Sequence, residues 1–216
     1  MQEHTESHKH FGGTSDSESP VDICELRTEV QSKYAAVATD PEADYHFHTG
    51  RSVAERCRYD LEAVDALPSE AVESFAGVAN PFELRDLKPG ERVLDLGSGA
   101  GTDSFLAAAV VGETGYVTGI DMTEAMLTKS RATMASLGLG HRMEFCHGYI
   151  EDLPIADGWA DVVIANGVIN LCPDKSAAMA EAWRVLRPGG AIQFADIANG
   201  QPVPEEARRH IDLWTG

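Results

Sequence analysis

Val93-Leu94-Asp95-Leu96-Gly97-Ser98-Gly99-Ala100-Gly101-Thr102-Asp103 sets a short apolar run against a glycine cluster, and a helical pattern follows it. The turn from a first strand into a first helix is where an open α/β sheet holds its ligands. Glycines there let backbone amides approach a ligand at places where a Cβ would collide. A dinucleotide fingerprint needs its third glycine at position 102, which is Thr102, so GxGxxG is not met and an NAD-binding oxidoreductase is the disfavoured reading.

Downstream of this loop, short apolar runs at 92–96, 116–120, 143–147, 161–165 and 191–196 alternate with helical patterns at 102–111, 123–137 and 175–185. That alternation predicts an α/β fold with a mainly parallel sheet and helices on its faces. Upstream, Ile23, Leu26, Val30 and Tyr34 recur at helical spacing and predict a helix over 21–34. Further helices are expected over 52–67 and, with Pro68 and Ser69 as boundary and cap, over 70–76. The expected organisation is a disordered tail at 1–20, a helical extension and cofactor lid at 21–88, and a core at 89–216. One more helix is expected at 205–214.

Asp121 follows the second apolar run, where an acid can accept hydrogen bonds from both ribose hydroxyls of a nucleoside. Together with the acid two residues before the glycines, GxGxG suits S-adenosylmethionine. This cofactor has no pyrophosphate, but its ammonium and sulfonium are complemented by an acidic loop.

The segments VLDLGSGAG, GIDMT, HGYIEDLP, NGVINLCPDK and EAWRVLRPGG together resemble the class I S-adenosylmethionine-dependent methyltransferases, most closely the arsenite-methyltransferase-like branch, over residues 45–216. The resemblance implies a Rossmann-like, doubly wound sheet of order 3-2-1-4-5. It also implies two final strands that this sequence is expected to lack, leaving a sheet edge that suggests a homodimer or a covering role for the N-terminal helices. By the same resemblance Asp95, Gly97, Ser98, Gly99 and Gly101 line the methionine half of the cofactor, with Asp103 beside them. Asp121 and Met122 meet ribose and adenine; Tyr149, Ile150 and Glu151 border the adenine; Asn166, Gly167 and Val168 close the site. Read from the residues alone, Glu151 is equally a helix-capping acid and Met122 a core side chain.

Methyl transfer is an in-line displacement at an activated carbon, so positioning does much of the work and a dedicated base is not required. The expected acceptor is a small molecule, with arsenite or another thiophilic species as one candidate; a cofactor-binding but catalytically idle protein, or half of a complex, is the alternative. The resemblance puts Val78 and Gly167 where arsenite enzymes carry cysteines. His48, Asn170 and Cys172 are the candidate catalytic residues, and Cys172 also reads as a structural thiol. His46 and His48 fall on one face of an extended segment that reads as a base, a lid or a plain loop, and no metal site is expected. Thr49, Gly50 and Arg51 follow, and Arg51 is expected to pair with the cofactor carboxylate.

A net charge of −18 over 216 residues repels phosphate backbones, so nucleic acid is not expected as a partner. The longest apolar runs fall short of the ~20 residues that cross a bilayer, and no apolar leader is visible, so neither a membrane partner nor secretion is expected. Cys24, Cys57, Cys146 and Cys172 are widely spaced without a CxxC pair, which suits reduced thiols in a cytoplasm.

Overall fold

The structure, a computed structural model, describes residues 22–198, 200 and 201. The expected tail, with its histidines, and the helix expected at 205–214 lie outside the described residues. In chain order the elements are α1 (Ile23–Thr39), α2 (Arg51–Arg56), α3 (Leu61–Asp65), α4 (Ser69–Val72), β1 (Arg92–Leu96), α5 (Thr102–Val111), β2 (Tyr116–Asp121), α6 (Glu124–Ser136), β3 (Met143–His147), β4 (Ala160–Asn166), α7 (Lys175–Val185) and β5 (Leu186–Ala195).

All four strand pairings are parallel, and the sheet order is β3-β2-β1-β4-β5. The chain lays down β1, β2 and β3 in one direction and then returns to place β4 on the other side of β1. The crevice beyond the carboxyl ends of β1 and β4 is therefore the topological switch point.

Strand periodicity of two explains the layering. Val93, Val117, Val162 and Ile164 pack with the helices that include α5, whereas Leu94, Leu96, Val163 and Ala165 pack with Ala178, Ala182 and Val185 of α7. Each buried Val, Leu or Ile side chain among these is worth roughly 1.5–3 kcal/mol relative to exposure. Asp95 shares the face of Val93, which turns a carboxyl toward α5.

Three elements differ from expectation. The helix expected over 52–67 is broken into α2 and α3, because Arg58 takes φ 61° and Asp60 caps α3 by accepting from Glu62 N at 3.0 Å. The break turns Tyr59 inward, where it is 6% exposed. The helix expected over 70–76 starts at Ser69 and stops at Val72, since Ser74 instead donates to Val37 O at 3.2 Å and Phe75 O accepts from Gly50 N at 2.8 Å. Pairing of β5 begins at Leu186 rather than at 191, with a register irregularity opposite Ala160 and Val162. No helix of the described residues is long and apolar enough to cross a membrane.

Candidate functional site

At the switch point the glycine loop opens into a cavity lined by the ends of β1, β2 and β4 and by α1. Gly97, Gly99 and Gly101 have φ of 67°, 53° and 95°, the left-handed region that favours glycine. A Cβ at Gly97 would lie 2.4 Å from Val168 Cγ2. At Gly99 the nearest atom would be Met126 Sδ at 4.0 Å, so the Gly99 backbone has open space beside it. Asp121 ties this loop to the second strand: its carboxylate accepts from Gly99 N at 2.8 Å and Thr123 N at 2.7 Å. The buried Ser98 hydroxyl on the same wall has no hydrogen-bond partner, a group that a polar ligand atom would satisfy.

Three acids converge on the cavity. Burial pushes Asp95 well above the ordinary carboxylate range, aided by the neighbouring Asp103 charge and opposed by the Ser104 hydroxyl that donates at 2.5 Å. Burial also raises Asp103 to about 6, against the donation of Asn166 and Tyr59. Asp121 is raised by burial as well, with the Thr123 and Gly99 amides pulling the other way. Arg27 is the only Lys or Arg among the described lining residues. Its guanidinium lies 4.0 Å over the Tyr149 ring and 3.3 Å from Glu151. An uncompensated cluster of buried acids is suited to a cationic ligand.

Helix α1 closes this cavity from above. Leu26 and Val30 pack with Met122 and Leu171, and Gln31 Nε2 donates to Met122 O at 2.8 Å. Tyr34 lines the cavity too, its phenol pushed up to about 12 by burial and by the Asp121 and Asp196 charges.

A methyltransferase-domain family model matches residues 87–214. The chain belongs to this methyltransferase family. Arsenite methyltransferases of Halobacterium salinarum and Homo sapiens are 38% and 36% identical to it over 89% and 88% of this chain, each with 52% of its own length covered. The crystal structure of an arsenic(III) S-adenosylmethionine methyltransferase from Chlamydomonas reinhardtii is 42% identical, with a TM-score of 0.64 over 70% of this chain and 53% of that one. The chain thus spans about half the length of the curated relatives it matches.

Within this methyltransferase domain, the cavity brings together most of the residues singled out in the sequence. Asp95, Gly97, Ser98, Gly99 and Asp103 come from the first loop; Asp121 and Met122 from β2 and its end. Tyr149, Ile150 and Glu151 line it from the loop after β3, and Asn166, Gly167, Val168 and Cys172 from β4 and beyond. Gly101 does not line it. A Cβ there would meet Phe105 and Phe145 at 2.8 and 2.9 Å, so this glycine serves the packing of α5 behind the loop. Thr102 is the first residue of α5, and its hydroxyl donates to Ala71 O at 2.5 Å.

The structure places His48, Thr49, Gly50 and Arg51 elsewhere, in a second groove beside α3 and α4. There the Arg51 guanidinium grips Asp65 through Nε at 2.5 Å and Nη2 at 2.8 Å, so its fork is engaged away from the main cavity. His46 Nε2 sits 2.8 Å from Lys33 Nζ. Asn170 also stands outside the cavity lining; its backbone N donates to Asp196 Oδ2 at 3.0 Å. Cys172 is buried, its thiol donating to Val168 O at 3.6 Å and pushed up to about 12 by burial and then by the Glu151 charge. It is a neutral thiol at physiological pH. Positions 78 and 167 do adjoin each other: a Cβ at Gly167 would lie 3.1 Å from Val78 Cγ1.

Arg27, Gln31, Tyr34 and Tyr59 were not legible as site residues. The apolar spacing of α1 marks a buried face but not what that face covers. Tyr59 carries no local pattern at all.

Proposed function

We propose that this cavity binds S-adenosylmethionine and that the chain catalyses methyl transfer to a small-molecule acceptor. The observation that carries the reading is the convergence of the buried Asp95 and Asp103 with the part-buried Asp121 around a glycine loop whose Gly99 backbone is open to the cavity. S-adenosylmethionine supplies a methyl carbon already activated by a sulfonium centre. Asp95 and Asp103 are suited to its ammonium end, Asp121 to its ribose hydroxyls, and Met122, Tyr149 and Ile150 to its adenine. The orphaned Ser98 hydroxyl fits the same assignment. In this reading α1 and the 74–77 segment of the helical extension form the lid, with α1 excluding water over the cavity.

For the acceptor, arsenite or another thiophilic species is the class that the relatives favour, and Cys172 is the cavity-lining thiol among the described residues. A second reading, a domain that binds the cofactor without turnover, is favoured by the neutral state of that thiol and by Val78 and Gly167, adjoining positions that carry no sulfur. Turnover separates the two. Incubation with methyl-labelled S-adenosylmethionine, arsenite with glutathione, and a panel of small thiols is expected to yield a methylated product, and Cys172→Ser is expected to lower the rate with arsenite at least roughly tenfold through loss of a soft ligand. Cofactor binding without any product across the panel would favour the idle reading.

The raised carboxyls make binding pH-dependent. A cationic ligand favours ionised Asp103, which is protonated below about 6 when the ligand is absent. Affinity is therefore retained above that pH and lost below it, by roughly tenfold at pH 5 for one such group. Without ligand the sign for folding is opposite in consequence: an acid raised by burial contributes stability below its unfolded value and loses it as pH rises through about 6. Calorimetric titration at pH 5 and 8 checks the first statement, and equal affinity at both would contradict it.

A further inference from the structure

Asn166 sits at the end of β4 with both ends of its amide engaged. Its Oδ1 accepts from Val78 N at 2.8 Å and lies 3.4 Å from Ala79 N. Its Nδ2 is shared among Tyr59 Oη at 2.9 Å, Ala79 O at 2.9 Å and Asp103 Oδ2 at 3.1 Å. The Tyr59 hydroxyl donates to the other Asp103 oxygen at 2.7 Å. One carboxyl on the cavity wall is thus linked, through a phenol and an amide, to the backbone of the 77–80 loop. Gly77 permits the approach, since a Cβ there would stand 2.4 Å from Asn166 Nδ2 and 2.5 Å from Phe75 Cζ. Ala76 and Gly77 line the same cavity, and Val78 adjoins the lining residue Gly167.

We propose that Tyr59 and Asn166 are positioning residues that transmit occupation of the cavity beside Asp103 to the 77–80 loop, so that this wall of the acceptor side is ordered once the cofactor is seated. The proposal rests on the reading of the cavity as an S-adenosylmethionine site. Asp103 faces Asp95 from β1, Tyr59 and Cys57 from the α2–α3 connection, and Asn166 from β4. Near and below pH 6, where Asp103 takes up a proton in the empty cavity, a cation placed among these groups favours the carboxylate, and a carboxylate is roughly twice as strong an acceptor as a neutral group for the Tyr59 and Asn166 donors. Firmer donation fixes the amide plane, and the fixed Oδ1 holds the Val78 N–H.

Hydrogen exchange at about pH 5 with mass-spectrometric readout of the 76–80 peptide, with and without saturating S-adenosylmethionine, tests this. In the wild type the cofactor is expected to slow exchange there roughly tenfold, the size expected when an existing hydrogen bond is strengthened by charge on its acceptor. Tyr59→Phe keeps the ring against Phe75 and Phe82 and is expected to bind cofactor while losing most of that slowing. Asp103→Asn, which keeps the shape and removes the charge, is compared at a cofactor concentration that calorimetry shows to saturate that variant; it is expected to lose the slowing too, and it carries the test where Tyr59→Phe fails to fold. Cofactor binding with no slowing in the wild type, or with equal slowing in the folded variants, would overturn the proposal alone. No cofactor binding by the wild type would overturn the functional reading and this proposal with it.

Discussion

Asp121→Ala is expected to weaken S-adenosylmethionine binding by at least roughly tenfold to a hundredfold, the loss of a single charge-assisted hydrogen bond of about 1.5–3 kcal/mol. Two effects combine. The carboxylate proposed to receive the ribose hydroxyls is gone, and the Gly99 and Thr123 amides that it holds at 2.8 and 2.7 Å lose their acceptor. Asp121→Asn separates them, since an amide oxygen can still accept from one backbone N–H while the charge is absent. Calorimetry on both variants, with thermal melting as the check on folding, reads the outcome. Unchanged affinity in a folded Asp121→Ala protein would remove Asp121 from the site.

Gly101→Ala is expected to act on the fold. Its φ of 95° costs a side-chain-bearing residue roughly 1–2 kcal/mol. The added methyl meets Phe105 at 2.8 Å and Phe145 at 2.9 Å, two rings that already pack at 5.6 Å between centroids, and overpacking of this kind costs about 1–3 kcal/mol more. A loss of roughly 2–5 kcal/mol is expected in urea unfolding. Gly138 is the internal control: its φ is 69°, but nothing lies within 4 Å of an added Cβ, so Gly138→Ala is expected to cost only the strain of about 1 kcal/mol. Equal losses in the two variants would contradict the packing role of Gly101.

These two glycines also mark how far a sequence can be read. The loop pattern announces that Cβ atoms are excluded at 97, 99 and 101, yet the reasons differ: Gly97 lies under Val168, Gly99 borders open space, and Gly101 lies against two phenylalanines. Only tertiary packing distinguishes them. Strand and helix positions from β1 to α7 were legible because the apolar runs are short, the helices carry a distinct period, and Gly or Pro separates them. The segment between α1 and β1 was not. Its helices are four to six residues long, and their ends are set by long-range partners such as Asp103 for Tyr59 and Val37 for Ser74. Arg51 lies away from the main cavity for the same reason, since a guanidinium takes the nearest well-placed carboxylate, here Asp65.

The acids were legible by position but not by state. Asp95, Asp103 and Asp121 stand beside glycines and at a strand end in the sequence, whereas their shared burial and elevated protonation arise from the sheet that brings them together. That convergence is the basis of the proposed cofactor site, and its most direct test is calorimetric titration of the purified protein at pH 8 with S-adenosylmethionine, with NAD run separately. Saturable binding of S-adenosylmethionine with no binding of NAD is the result expected; absence of S-adenosylmethionine binding by the folded protein, or binding of NAD instead, would contradict it.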